Sequence, residues 1–240
     1  MSIILRKFNI KYISDSSLIL IIGSNNSNKS YITKDLLYNH NTIPIGAVIS
    51  KNKYGYEYIP PIFIHEEYNK KIIKNIIKNK ISSFLVFDNY NGEELHPKKL
   101  KNTLTVLTID YYIYKNISLR NNIEYLFILR EDLHINRKKI YDAFLKMEFT
   151  LFCKLLDEYT DDNNVLVIHL KSDSSLIQDK FFWYGISKTS QPYKTSQKND
   201  NPFKMCCEEA WKYNETHLIK TDNLDNLDNN KLLFNRNFLF

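Results

Sequence analysis

Three residue types stand at phosphate-binding spacing in "LILIIGSNNSNKS", residues 18–30: Gly23, then Lys29 and Ser30 after five intervening residues. The usual pattern is G-x-x-x-x-G-K-[ST], and Asn28 occupies the place of its second glycine. In such a loop successive backbone N–H groups point into a concavity at a helix N-terminus, where the helix dipole also favours an anion. The lysine adds a point charge on the outer phosphates, and the serine hydroxyl can ligate magnesium. The candidate phosphate-contacting stretch is therefore Gly23, Ser24, Asn25, Asn26, Ser27, Asn28, Lys29 and Ser30. Asparagine tolerates the left-handed backbone region better than other non-glycine residues, so Asn25, Asn26 and Asn28 are expected to supply the freedom that glycines usually give. The steric cost falls at position 28, where backbone normally approaches phosphate.

The second half of such a site is an acid at the C-terminal end of a neighbouring strand. "FLVFDNY" offers Asp88 there, with Ser30, as the magnesium-orienting pair. The residue after it, Asn89, cannot accept a proton from an attacking water at neutral pH. Glu93 and Glu94 lie just beyond and read either as substitute bases or as helix caps. "HEEYN" (65–69) has one histidine too few for a zinc helix. Cys206 and Cys207 lack the spacer that chelation prefers.

These residues need a scaffold, and the chain alternates strand-like and helix-like segments. Apolar runs at 17–22, 43–50, 83–88, 102–110, 122–129, 164–170 and 180–187 read as strands, with a short extended piece at 60–65. Helical spacing of apolar residues predicts helices over 29–40, 66–80, 137–147 and 151–159. Strands that are apolar throughout and separated by helices imply a mostly parallel α/β sheet covered on both faces. With 43% apolar and 14% aromatic residues in 240, a sizeable core is available. The domain is expected over 1–190. An extension over 191–240 is low in complexity, with a repeated N-L-D triplet in "TDNLDNLDNNKLLFNRNF" (221–238), and is expected to be flexible from about 216.

The net charge of +6 permits an anionic partner without demanding one. "NKKIIKNIIKNK" (69–80) reads first as a solvated lysine face over a buried isoleucine stripe. Three cysteines with no framework spacing fit a reducing compartment, and the apolar run at 18–22 is too short to span a bilayer. A soluble intracellular protein is expected.

The order of motifs carries a resemblance. "IGSNNSNKSYITKDLLYNHNTIPIGAVIS", "FIHEEYN", "FLVFDN", "LTVLTIDYY", "SLRNNIEYLFILRE", "VLVIHLKSDS" and "DKFFWY" follow one another over residues 15–188, with a weaker "NPFKMCCEEAW" at 201–211. The chain thereby resembles the genome-packaging ATPases of nucleocytoplasmic large DNA viruses, poxvirus- and mimivirus-type relatives of the FtsK–HerA pumping ATPases. The resemblance implies a RecA-like P-loop NTPase fold, ATP with Mg2+, a homo-oligomeric ring, double-stranded DNA and capsid components as partners, and no membrane. It places the protein in the host cytoplasm at the viral factory, or in the virion. It assigns Lys29 to the phosphates, Ser30 to magnesium and Asp88 to the magnesium-linked water. It also makes Arg120, in "SLRNN", a candidate arginine acting on a neighbouring subunit's γ-phosphate, for which guanidinium has suitable charge and geometry. An ion pair anchoring the following strand is the other reading of Arg120.

Four departures from the family pattern stand out. Asn28 replaces glycine and Asn89 replaces the second acid. Asp110 stands where the family carries a polar amide near the γ-phosphate, and an acid there is expected to repel it unless protonated or metal-bound. The stretch between Asp88 and the strand at 103–109 is also short. Together they imply a divergent copy, slow in hydrolysis or catalytically silent as a nucleotide-binding, DNA-binding or capsid-assembly subunit. A small-molecule kinase is a third reading, disfavoured because no arginine-rich lid segment follows the strands.

Overall fold

The computed structural model describes residues 3–24, 27–40, 42–43, 45–56, 58–59, 63–78, 82–90, 92, 95, 100–110, 117–161 and 163–186. Asn25, Asn26, Glu93, Glu94, Cys206, Cys207, Trp211 and the whole 191–240 extension lie outside the described residues.

Nine strands form one sheet among the described residues: β1 (Arg6–Lys7), β2 (Leu18–Ile22), β3 (Ile45–Ile49), β4 (Ile64–His65), β5 (Ser83–Phe87), β6 (Thr103–Ile109), β7 (Tyr125–Ile128), β8 (Asn164–His169) and β9 (Phe181–Gly185). Their spatial order is β1-β9-β8-β7-β2-β6-β5-β3-β4. The run from β7 to β4 is parallel throughout, and only β8 runs against its neighbours, β7 and β9. The helices are α1 (Lys29–Asn39), α2 (Lys70–Lys78), α3 (Ile117–Arg120), α4 (His134–Phe144) and α5 (Phe149–Tyr159). This is the α/β, mostly parallel sheet flanked by helices that the apolar strands imply.

Every residue of β2, β3, β5, β6 and β7 is buried, because helices or loops cover both faces. Alternation along a strand divides the core in two. Ile19 and Ile21 face α1 through Ile32, Leu36 and Leu37. Leu18, Leu20 and Ile22 face the other layer, where Ile73 and Ile76 of α2, Ile140 of α4, and Phe152, Leu155 and Leu156 of α5 pack. In α2 Ile73 and Ile76 are buried, Ile72 and Ile77 are half-buried, and Lys70, Lys71, Lys74 and Lys78 are exposed, as the sequence pattern predicts.

Element edges shift from the expected ones. The helix predicted over 66–80 starts at Lys70, because the Asn69 side chain accepts the N–H groups of Lys71 and Ile72 and caps it there. The helix predicted over 137–147 begins three residues earlier, at His134, where the buried Glu131 carboxylate accepts the Leu133 N–H and the Asn136 amide. The strand predicted at 122–129 is regular only over Tyr125–Ile128. Its leading residues instead finish α3, with Ile123 N–H donating to Arg120 O at 3.2 Å.

Candidate functional site

The parallel topology brings the C-terminal ends of β2, β6, β5 and β3 side by side, and the polar residues of interest follow those ends. Gly23 N–H donates to Ile109 O at 3.2 Å, so the loop after β2 starts beside residue 110. Gly23 is required by close approach. A Cβ there would sit 2.7 Å from Ser27 Oγ and 2.9 Å from Leu129 Cδ1. The loop turns back through a Ser27 N–H bond to Ser24 O at 3.1 Å, and α1 opens with Ile32 N–H donating to Asn28 O at 3.2 Å.

Asn28 corrects one expectation. Its backbone has φ −72° and ψ 25°, outside the left-handed region, so it supplies no glycine-like freedom. Its side chain instead donates to Asn163 Oδ1 at 3.2 Å, tying the start of α1 to the loop before β8.

Lys29 is 7% exposed at its side chain, and its ammonium uses all three donors inside the protein. It donates to Gly23 O at 2.6 Å, to Ser24 O at 3.0 Å and to Asp110 Oδ1 at 2.5 Å. Asp110 does not stand alone as a repelling acid; it is paired with the phosphate-loop lysine. Ser30 follows on the first turn of α1, and Gly55 packs against it: a Cβ at 55 would meet Ser30 Cβ at 3.5 Å.

Asp88 sits just past β5, two strands from β2. Its Oδ1 accepts from Thr108 Oγ1 at 2.7 Å and its Oδ2 from Ser50 Oγ at 2.8 Å. Thr108 Oγ1 in turn accepts the Asn89 N–H at 2.9 Å. The fully buried Tyr56 faces Asp88 and Thr33, and its hydroxyl has no hydrogen-bond partner of normal geometry among the described residues. Burial and the nearby Asp88 carboxylate hold that hydroxyl well above the ordinary tyrosine range, so it stays protonated. Thr33 closes the circuit by donating to Lys29 O at 3.1 Å. Lys29, Asp110, Thr108, Asp88, Tyr56 and Thr33 therefore border one polar region at the sheet's C-terminal edge.

Asn89 has φ +50°. Left-handed backbone favours asparagine over glutamate, so this residue type suits the turn after β5.

Arg120 is not brought to this edge. It ends α3 on the sheet face opposite α1, beside Leu20, Ile109, Ile123 and Phe144. The chain then enters β7 level with the start of β2, where Glu124 N–H donates to Leu18 O at 2.8 Å. Among the described residues Arg120 makes no ion pair, and its buried Nε has no hydrogen-bond partner. The strand-anchoring ion pair is therefore not found there.

Sequence reasoning missed Ser50, Thr108, Tyr56 and Asn163. Only the hydroxyl ending "IPIGAVIS" was a visible signal, because strand order, absent from any local pattern, makes the other three neighbours of the motif residues.

The residues present suit a magnesium nucleotide in chemistry. A lysine cation matches phosphate, and a serine hydroxyl with a carboxylate matches a hard divalent ion. The buried Ser27 Oγ has no partner within the described residues and adds a polar atom to the loop.

No protein-family model matches the chain. It is 28% identical to an uncharacterised protein of Acanthamoeba polyphaga mimivirus, over 72% of this chain and 74% of that one. It is also 28% identical to an uncharacterised protein of Invertebrate iridescent virus 3, over 80% of this chain and 82% of that one. Among solved structures it is similar to B204, the DNA-packaging ATPase from Sulfolobus turreted icosahedral virus, with TM-score 0.49, 13% identity and coverage of 66% of this chain and 95% of that one. It is also similar to the conjugation coupling protein TcpA, with TM-score 0.46, 11% identity and coverage of 70% and 59%. The two sequence relatives are thus both uncharacterised proteins of large DNA viruses.

Proposed function

We propose that this chain is a viral DNA-packaging ATPase-like protein that binds ATP with Mg2+ at the loop between β2 and α1. The observation that carries the reading is the common edge shared by Lys29, Ser30 and Asp88, with β6 between the loop strand and the acid strand. In this reading Lys29 meets the outer phosphates, and Ser30 and Asp88 hold the magnesium ion. When bound, the magnesium nucleotide supplies the phosphoanhydride whose cleavage drives movement. The chain's own residues position it: Ser50 and Thr108 fix the Asp88 carboxylate, and Gly23 lets the loop close. Arg120 would act on the neighbouring copy's nucleotide in a homo-oligomeric ring, translocating double-stranded DNA into a capsid at the viral factory.

A second reading has its own observation. Asn89 offers no base, and Lys29 is already paired with Asp110. Those two facts favour a nucleotide-binding subunit without turnover, which would serve in DNA binding or capsid assembly. Steady-state ATP hydrolysis with and without double-stranded DNA, beside Lys29→Ala, separates the readings. DNA-stimulated turnover lost in Lys29→Ala supports the motor. Saturable ATP binding with no turnover supports the silent subunit.

A further inference from the structure

We propose that Asp110 is an internal rival of nucleotide phosphate for Lys29, setting a threshold that ATP must overcome to bind. The proposal rests on the reading of the β2–α1 loop as a nucleotide site. Its basis is a count of donors: an ammonium has three, and Gly23 O, Ser24 O and Asp110 Oδ1 take all of them. A phosphate reaching Lys29 must displace at least one of these acceptors. The two carbonyls belong to the loop backbone, anchored by Gly23 N–H to Ile109 O and by Ser27 N–H to Ser24 O, so they leave only if the loop refolds. Asp110 is a side chain with 37% exposure, against 7% for Lys29, and can rotate into solvent while the lysine stays buried. The Asp110 bond is therefore the one exchanged.

Charge acts in the same direction. Paired, Lys29 and Asp110 present a phosphate with no net charge. Displaced, Asp110 remains beside the polar edge as an unpaired anion. Apparent affinity is then the intrinsic affinity scaled by the fraction of molecules whose lysine is released. Asp110→Asn keeps the shape and one oxygen acceptor but removes the charge, and Asp110→Ser removes the charge with a smaller side chain.

The test compares wild type, Asp110→Asn, Asp110→Ser and Lys29→Ala as full-length chains. Titration calorimetry with Mg-ATP reads affinity. Mass spectrometry after treatment with an amine-acylating reagent reads how fast the Lys29 ζ-amine is modified without nucleotide. The expected result is binding about tenfold or more tighter in both Asp110 variants, with Lys29 acylated severalfold faster than in wild type. Unchanged affinity and unchanged acylation overturn the rivalry and leave the nucleotide site standing, provided wild type binds and Lys29→Ala does not. Tighter binding with unchanged acylation assigns the gain to lost repulsion alone and also overturns it. Absence of ATP binding in wild type and both Asp110 variants removes the nucleotide reading itself, and the rivalry with it.

Discussion

Two glycine-sensitive and asparagine-sensitive positions decide how the polar edge is built at the residue scale. Gly23 packs against Ser27 and Leu129 so closely that alanine must push one of them aside. Gly23→Ala is expected to destabilise the fold by about 1–3 kcal/mol, read as a lower midpoint in urea unfolding. Asn89, at φ +50°, is expected to resist replacement by glutamate. Asn89→Glu should lower stability by about 1 kcal/mol, whereas Asn89→Gly should not lower it. The motif residues were legible in the sequence because their spacing is local: Gly23, Lys29 and Ser30 lie within one loop, and Asp88 ends an apolar run. Partners were not legible. No local pattern connects Lys29 to a residue 81 positions away; the resemblance put Asp110 near the same phosphate, but not as the partner that takes one of the lysine's donors. Nor does an asparagine announce its backbone angles, which is why Asn89 takes the left-handed region and Asn28 does not.

At the scale of elements, the loop depends on strands that fit without spare room. Gly46 in β3 faces Phe84 of the adjacent β5, and a Cβ there would come within 2.4 Å of the ring. Gly46→Ala is therefore expected to cost about 1–3 kcal/mol or more, with the Ser50–Asp88 bond disturbed as the two strands separate. Chemical denaturation checks the first effect, and weakened Mg2+ dependence of nucleotide binding the second. Long central strands were readable because burial on both faces leaves an unbroken apolar run. The two-residue strand β1 and the four-residue α3 were not readable as such, since neither is long enough to show a period, whereas β4 falls inside the short extended piece expected at 60–65. The reversal of β8 was equally hidden, because an antiparallel strand buried in the same sheet has the same composition as a parallel one.

The whole molecule ties its outer strands to the centre through aromatic contacts. Phe8, just after β1, lies 5.5–5.8 Å ring to ring from Tyr125, Phe127 and Phe182, linking β7 and β9. His169 on β8 stacks on Tyr125 at 4.6 Å and is held below the ordinary imidazole value of 6.5. Burial is the main cause, Lys171 adds to it, and Glu124, 3.9 Å away, opposes it. The folded state therefore favours neutral His169, and the unfolded chain takes up the proton first as pH falls. Its contribution to stability is complete above the unfolded value and declines as pH drops through 6.5 toward the lower folded value. Melting temperatures at pH 7.5 and pH 5.5 should fall further for wild type than for His169→Gln.

One measurement bears most directly on the central claim, that the Lys29, Ser30 and Asp88 edge holds a magnesium nucleotide. It is calorimetric titration of Mg-ATP into wild type and Lys29→Ala, with circular dichroism showing both folded. Saturable binding by wild type that disappears in Lys29→Ala is the predicted result. Binding of equal strength in both proteins, or none in wild type at millimolar ATP, would contradict it.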